Sequence, residues 1–411
     1  IAHVVMTNQS YKKILTADYA MVNPVSNIAY RSGLEFDAQY PDAGGLYDSK
    51  LLNQFKPGHD RGQVPWENGF FFDNTQNLIT SFTEYRDFPH SGVLSTPAWL
   101  NRYPSTDTNR NRARARWTYY HFLGVDIEKS APRTTDPIAL ADTNNPTLNN
   151  AACTVCHERL DQVAGAYKMF GDNGVYLDQW GGEDSLPNSY KSPHLFGGTR
   201  EDQIYQNGDT WYRDMRLPGL EGKEAPQDQD SLQWLAHQIA EDPRFASATV
   251  KFWWPAVYGS ELLMSPEDTG GPDYDQRLRA FNAQEALIEE LSEKFVASDY
   301  RLKQLLAEMV LAAWYRSETP EAVLEDGTRD LELATIGRGR LLTPRELDNK
   351  NIALFGYTWF WERTGNTSDN SLDTAGARPD EQSALHRRTS DDQGYNVFFG
   401  GIDSASLIKR N

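Results

Sequence analysis

The chain of 411 residues contains only two cysteines, and they lie three positions apart in the segment Cys153-Thr154-Val155-Cys156-His157. A secreted protein held together by disulfides uses more cysteines at wider separations. A thioredoxin-like redox pair ends a strand of a small α/β unit, and no such unit is recognisable in this sequence. A zinc site needs a second Cys/His pair at zinc spacing, which the sequence lacks. These common uses of a Cys-x-x-Cys pair are therefore disfavoured.

The histidine that follows the second cysteine favours another chemistry. Thiols on adjacent turns at the start of a helix can close thioether bonds to the two vinyl groups of haem, here from Cys153 and Cys156. His157 then places its imidazole under the iron as the proximal ligand. The sequence therefore predicts one covalently attached haem c.

Covalent haem also predicts a cellular compartment. Haem c is attached outside the bacterial cytoplasm, so we expect an exported protein of the periplasm or the extracellular space. The first residues, Ile1 to Met6, lack the basic start and apolar core of a signal peptide. We therefore expect the chain to be a processed form or a part of a longer precursor.

Composition excludes several classes of partner. The formal net charge of -18 argues against a nucleic-acid-binding protein, which needs a basic face, and against docking on anionic lipid. Hydrophobic residues make up 39% and aromatic residues 12% of the chain, which is enough for a globular core. No apolar run approaches the ~20 residues of a membrane span, so we expect no such span.

Hydrophobic periodicity predicts a mainly α protein with long ordered loops, in which a cytochrome c-like haem module is embedded in a larger helical protein. Thr96 and Pro97 predict the start of one helix, and a second is predicted over 108–123. The haem helix is predicted over 151–170, ending before Gly171. Helical spacing dominates from 229 to 316, and a capping box predicts a further helix over 344–361.

Segments around the haem motif resemble a known group of proteins. The relevant stretches are Ser91–Leu100, the Arg-rich run Asn109–Trp117, the pair Leu123-Gly124, the haem motif through Asp161, and Phe170 nine residues later. Together they resemble the large multidomain c-type cytochromes named after planctomycetes, whose function is largely unassigned. Gln162 stands where that family has proline, so the haem helix is expected to continue without a kink.

The resemblance extends to both sides of the haem motif. Asp242–Phe245, Phe295–Lys303 and Leu341–Leu347 are similar to the C-terminal helical modules of the family, and Ile14–Tyr19 to the end of the module that precedes the haem domain. The resemblance therefore implies three parts. These are a loop-rich N-terminal remnant over 1–84, a c-type haem module over 85–225 and a C-terminal helical domain over 226–411. It also implies a longer precursor, cut near Lys409-Arg410, whose pieces remain associated.

The sixth ligand of the iron decides between an electron carrier and an enzyme with an open site. Met215 lies in a loop after the haem helix, in the usual chain order for a distal methionine, and is the preferred candidate. His194 lies in a similar loop, and His90 adjoins the segment Gly92–Leu94. For each of these residues alone, packing or an ordinary satisfied side chain is the simpler interpretation.

Two further patterns have a structural and a functional interpretation. Arg110, Arg112, Arg114 and Arg116 could pair haem propionates, but ion pairs within this acidic protein are the favoured interpretation. The acidic loop Glu267–Asp275 could bind Ca²⁺, but it lacks the twelve-residue spacing of an EF-hand and is expected to be a solvated loop.

The sequence thus predicts an exported monohaem c-type cytochrome that transfers single electrons to and from a redox partner protein or a small-molecule donor or acceptor. The alternatives are a haem-dependent oxidase or peroxidase with an open distal site, and a scaffold protein in which haem is structural. No nucleophile elbow, phosphate loop, dinucleotide fingerprint or second haem motif occurs in the sequence.

Overall fold

The computed structural model describes residues 1–36, 54–72, 78–105, 109–132, 134–142, 146–171, 174, 176, 216–226, 229–316 and 353–354. This part of the chain is mainly helical, as predicted. Its helices are α1 (Ala2–Met6), α2 (Lys13–Thr16), α3 (Pro24–Tyr30), α4 (Pro97–Arg102), α5 (Arg112–Leu123), α6 (Pro137–Leu140), α7 (Pro146–Asn149), α8 (Ala151–Ala166), α9 (Ser231–Glu241), α10 (Arg244–Tyr258), α11 (Tyr274–Ala297), α12 (Leu302–Leu311) and α13 (Ala313–Arg316). Short 3₁₀ turns span Gly92–Ser95 and Ile127–Lys129.

The strands form antiparallel pairs. They are β1 (Ala20–Val22) with β2 (Lys56–Gly58), β3 (Arg61–Phe72) with β4 (Leu78–Asp87), and β5 (Gly219–Leu220) with β6 (Lys223–Glu224). The long β3–β4 hairpin differs from the loop-rich segment expected over 1–84. Its register shifts on either side of Pro65, a residue that cannot donate to the ladder and that strands tolerate at bulges. Proline and glycine inside β3 therefore concealed the strand from a periodicity argument.

Two compact units divide the described residues. The first contains Ile1–Phe252 and Leu287–Glu308, and its fully buried side chains include Leu15, Tyr119 and Phe245. The second contains Trp253–Ala286 and the described residues from Met309 onward. In the second unit the ring of Trp254 meets that of Trp314 edge to face at 5.4 Å between centroids.

Local sequence signals set the helix ends around the haem motif. The side chain of Thr96 accepts a hydrogen bond from the amide of Trp99, and Pro97 occupies the first position of α4. Gly124 ends α5 in the left-handed conformation, with φ of 68°. Both ends confirm the predictions, because an N-cap side chain and a glycine C-cap satisfy backbone groups that the helix leaves unpaired.

Helix α8 continues through Gln162 without a break, as predicted, but ends at Ala166 rather than near 170. The carbonyls that follow have partners outside the helix. The side-chain amide of Asn111 donates to Tyr167 O at 3.1 Å, and the buried guanidinium of Arg114 donates to Phe170 O at 3.1 Å and Gly171 O at 2.9 Å. These side-chain donors replace the backbone bonds that would have extended the helix.

The helical region predicted over 229–316 is confirmed as α9 to α13. Of the helix predicted over 344–361, only residues 353–354 are described, and they are helical. The region around Lys409-Arg410 lies outside the described residues. Within the described part of the chain, none of the helices combines the length and the apolar character that crossing a membrane requires.

Candidate functional site

The Cys-x-x-Cys-His motif, Cys153 to His157, occupies the first turns of α8. Asn150 caps the helix by accepting a hydrogen bond from the Ala152 amide at 3.0 Å. Cys153 and Cys156 are free thiols, and both residues are half-buried. Because residues three and four apart share one face of a helix, the two thiols and the imidazole of His157 lie together. The capped helix thus presents these side chains as a group at its N-terminal end.

His157 is held by a carboxylate one turn later. Its Nδ1 lies 3.0 Å from Oδ1 of Asp161, and the side chain of Asp161 is fully buried. An ionised carboxylate only accepts hydrogen bonds, so Nδ1 carries the proton and Nε2 carries the lone pair. Nε2 forms no hydrogen bond with any described residue and is available as a ligand.

Arg112 completes this arrangement from α5. Its Nε and Nη2 donate to the two oxygens of Asp161 at 2.7 and 2.9 Å, a bidentate pair. Burial alone would raise the pKa of Asp161, but the hydrogen bonds from Arg112 and His157 outweigh it and hold that pKa below its ordinary value. The carboxylate therefore stays ionised and fixes the tautomer of His157.

Two other arginines of the Arg-rich run, Arg114 and Arg116, have structural roles. Arg116 pairs with Asp126 at 3.3 Å and Glu128 at 2.9 Å, and Arg114 binds backbone carbonyls. The prediction of ion pairs within this acidic chain is confirmed for Arg112 and Arg116. Sequence reasoning did not identify the link between Arg112 and His157, because the two residues are distant in sequence and meet only through Asp161.

The β5–β6 hairpin packs against the far end of α8. A Cβ on Gly165 would lie 3.0 Å from Cα of Pro218, so glycine permits this close approach. The side chain of Gln162 accepts a hydrogen bond from the Gly222 amide at 3.0 Å. Gln162 therefore anchors the hairpin to the helix.

The donor set fits haem c. One end of α8 carries two thiols that form no disulfide and one imidazole with an available Nε2. None of these three side chains belongs to the fully buried core. The thiol of Cys156 donates a hydrogen bond to the carbonyl of Ile127 at 3.7 Å. Cys153 and Cys156 would hold the porphyrin, and His157 would bind the iron.

Of the three candidates for the distal haem ligand, the structure describes His90. Met215 and His194 lie outside the described residues. His90 is buried, its Nδ1 lies 2.9 Å from Phe88 O, and its Nε2 accepts a hydrogen bond from the Asp60 amide at 2.9 Å. Burial lowers the pKa of His90. No described contact brings His90 to His157, so its role as a distal ligand stays a prediction.

Side chains of the acidic loop form local contacts. Asp268 accepts a hydrogen bond from the Gly270 amide at 3.1 Å, and Asp273 pairs with Arg277 at 2.6 Å. Among the described residues, three metal-ligating side chains come together elsewhere, at Asp18, His59 and His90. Sequence reasoning missed this cluster, because its members come from three separate segments.

An apolar cavity of about 240 Å³ lies in the first unit. Its lining includes Trp99, Tyr103, His121 and Phe252. Nε2 of His121 lies 3.0 Å from the hydroxyl of Tyr103, and burial lowers the pKa of His121 to about 4. The imidazole is therefore neutral at pH 7 and packs as one of several rings.

Comparisons with known proteins do not identify a family: no family model, no curated protein and no solved structure matches this chain. The resemblance to the planctomycete-type cytochromes therefore rests on the motifs given above. The geometry around α8 provides the physical basis for assigning a function.

Proposed function

We propose that the chain is an exported, monohaem c-type cytochrome of the planctomycete-type group that transfers single electrons. The observation that carries the proposal is the arrangement on α8, in which two free thiols accompany a histidine whose Nδ1 is fixed by Asp161. A metal-ligating histidine commonly donates its second ring N–H to a carboxylate or a backbone carbonyl. His157 has such a partner in Asp161.

Attachment needs no oxidant and no leaving group. The thiol of Cys153 and that of Cys156 each add across one vinyl group of haem. In each addition a Sγ–C bond forms, the S–H bond breaks, and the hydrogen ends on the other vinyl carbon. The two thioethers anchor the group to adjacent turns of α8, beside His157.

The chain's own residues then set the environment of the iron. Bound haem c supplies a centre that gains and loses one electron. His157 binds that centre through Nε2, Asp161 orients the imidazole and increases its basicity, and Arg112 keeps Asp161 ionised. The partners we propose are a redox protein or a small-molecule donor or acceptor, and other fragments of the same precursor.

The second candidate is a haem-dependent oxidase or peroxidase with an open distal site. The contact between His157 and Asp161 favours it, because a hydrogen-bonded carboxylate strengthens electron donation from the proximal imidazole. Strong proximal donation favours cleavage of an O–O bond. The same contact is compatible with a carrier, so the sixth ligand separates the two candidates.

Optical spectroscopy of the haem-loaded chain tests the assignment. For the carrier we expect a low-spin ferrous spectrum that CO leaves unchanged, because both axial positions are filled. The Met215→Ala substitution should then open the sixth coordination position of the iron and allow CO to bind. High-spin iron that binds CO or cyanide in the wild-type chain would contradict the carrier and support the enzyme.

A further inference from the structure

Three segments of the first unit meet at a cluster that does not include Cys153, Cys156 or His157. Asp18 lies between α2 and β1, His59 directly follows β2, and His90 follows β4. One potential ligand atom from each side chain lies within 4.8 Å of the other two. The set contains two imidazoles and one carboxylate, which is a donor set of borderline divalent cations and not of Ca²⁺ or Mg²⁺.

His90 has the hydrogen bonding of a metal ligand. It is 1% exposed, and the Asp60 amide donates to its Nε2 at 2.9 Å, so that nitrogen carries a lone pair. Its Nδ1 therefore carries the proton and donates to Phe88 O at 2.9 Å. A backbone carbonyl is the usual second partner of a ligating imidazole. Binding a cation would replace the hydrogen bond from Asp60 and leave the bond to Phe88 intact.

His59 provides an independent indication of a ligand. Its Nδ1 is shielded from solvent and has no hydrogen-bond partner among the described residues. The ring meets that of His90 edge to face, with 5.1 Å between centroids. A buried polar atom without a partner costs free energy. A cation that His59 binds through Nδ1 would satisfy this atom.

Asp18 supplies the negative charge. Its Oδ1 accepts hydrogen bonds from the His90 amide at 2.8 Å and from Gln233 at 3.3 Å. These described bonds all use Oδ1, so Oδ2 is available to a cation. Asp18 is exposed, so its carboxylate is accessible to a cation from solvent.

We propose that Asp18, His59 and His90 form a binding site for a first-row divalent cation, best matched by Zn²⁺, with a fourth position open to water. Zinc bonds of ~2.0–2.2 Å place tetrahedral ligand atoms about 3.3 Å apart. The three atoms must therefore approach one another by up to about 1.5 Å, which rotation of Asp18 and His59 permits. The cation would join the segments that carry β1, β2 and β4.

Calorimetric titration of the full chain with ZnCl₂ tests the site, with MgCl₂ as the comparison cation. We expect wild type to bind one zinc ion more than His59→Ala does, because that substitution removes a ligand without breaking a described hydrogen bond. Any haem-free fraction of the chain binds the same amount of zinc at Cys153 and Cys156 in wild type and in His59→Ala. This zinc therefore does not contribute to the difference between the two proteins. His237→Gln, on the exposed face of α9, is the matched control and should bind zinc like wild type.

Asp18→Asn is the second variant. It keeps an oxygen to accept from the His90 amide, so the fold is retained, but it removes the charge. We expect at least about a tenfold loss of zinc affinity and no zinc-dependent rise in melting temperature. Equal zinc stoichiometry and affinity in wild type, His59→Ala and Asp18→Asn would overturn the proposal. The haem assignment does not depend on either outcome.

Discussion

At the scale of single residues, the site depends on one buried charge. Asp161 receives a bidentate pair from Arg112 and a hydrogen bond from His157, and its side chain has no exposed surface. A carboxylate in this position is stable only because both neighbours donate to it. The same bonds fix the tautomer of the residue expected to bind iron. Stability and ligation are therefore coupled at Asp161.

Asp161→Asn should destabilise the chain by about 2–4 kcal/mol, because it removes the fully buried charge with which the guanidinium of Arg112 pairs. Chemical denaturation at pH 7 measures the change in the free energy of unfolding. Asp273→Asn, which breaks the more exposed pair with Arg277, is the control and should cost less than about 1 kcal/mol. In the haem-loaded chain the Asp161→Asn variant should also have a raised reduction potential. Equal losses in the two variants would contradict the central role of Asp161.

His121 should make the chain less stable in mild acid. Burial lowers its pKa to about 4, whereas the unfolded chain binds a proton near pH 6.5. The unfolded state thus binds more protons between these values, and the stabilisation present above pH 6.5 is lost as the pH falls toward 4. We expect a loss of about 2 kcal/mol, after allowing for the partial exposure of the ring.

Unfolding free energies at pH 7 and pH 4.5 measure this loss. His121→Phe keeps an aromatic ring and should reduce the difference between the two pH values. His237→Gln, an exposed histidine of α9, should keep it. An unchanged difference in His121→Phe would show that other groups cause the acid sensitivity.

At the scale of elements, close backbone contacts hold the N-terminal segment to the turn that contains Gly92. Gly92 has φ of 50°, and its amide donates to Ala17 O at 2.8 Å. A Cβ at this position would lie 2.0 Å from the carbonyl oxygen of Ile14. Only glycine permits both the left-handed backbone and this approach.

Gly92→Ala should therefore destabilise the chain by about 3 kcal/mol, as the sum of a strained backbone and a steric clash. Thermal and chemical denaturation measure the effect. Gly33→Ala is a matched control, since Gly33 has φ of 72° but nothing within 4 Å of an added Cβ. We expect it to cost only about 1 kcal/mol. Similar losses at the two positions would show that the contact with Ile14 adds little.

Elements with local signals could be predicted from the sequence, and those that depend on distant partners could not. Thr96 and Pro97 start α4, and Gly124 ends α5, because caps act within a few residues. The predicted end of α8 lies beyond the observed end at Ala166. The observed end depends on side-chain donors from Asn111 and Arg114, which lie at the start of α5. The hairpin β3–β4 was missed because its pairing is non-local and is interrupted at Pro65.

The residues of the candidate site also fall into those that the sequence predicts and those that it does not. Cys153, Cys156 and His157 form a contiguous motif, and the sequence alone predicts their chemistry. The position of Asp161 four residues after His157 was a readable signal, since such residues face each other on a helix. Nothing local indicates that Arg112 pairs with Asp161, or that Asp18, His59 and His90 converge.

At the scale of the whole molecule, the described chain is a mainly helical protein in which the motif-bearing helix is packed by α5 on one side and by the β5–β6 hairpin near its C-terminal end. The thiols and His157 remain at the opposite, N-terminal end of that helix, outside the fully buried core. The net charge of -18 remains the basis of the expectation that the protein binds neither nucleic acid nor anionic lipid. One helix end therefore carries the proposed chemistry of the molecule.

Intact mass spectrometry under denaturing conditions tests the central claim most directly. The chain should be produced with an export signal in a bacterium that carries the haem-attachment machinery. We expect a mass larger than that of the polypeptide by one haem group, and the bare polypeptide mass for the double variant Cys153→Ser/Cys156→Ser. Recovery of the wild-type chain at its bare mass, from cells that attach haem to a control cytochrome, would contradict the assignment of Cys153, Cys156 and His157 as a haem c site.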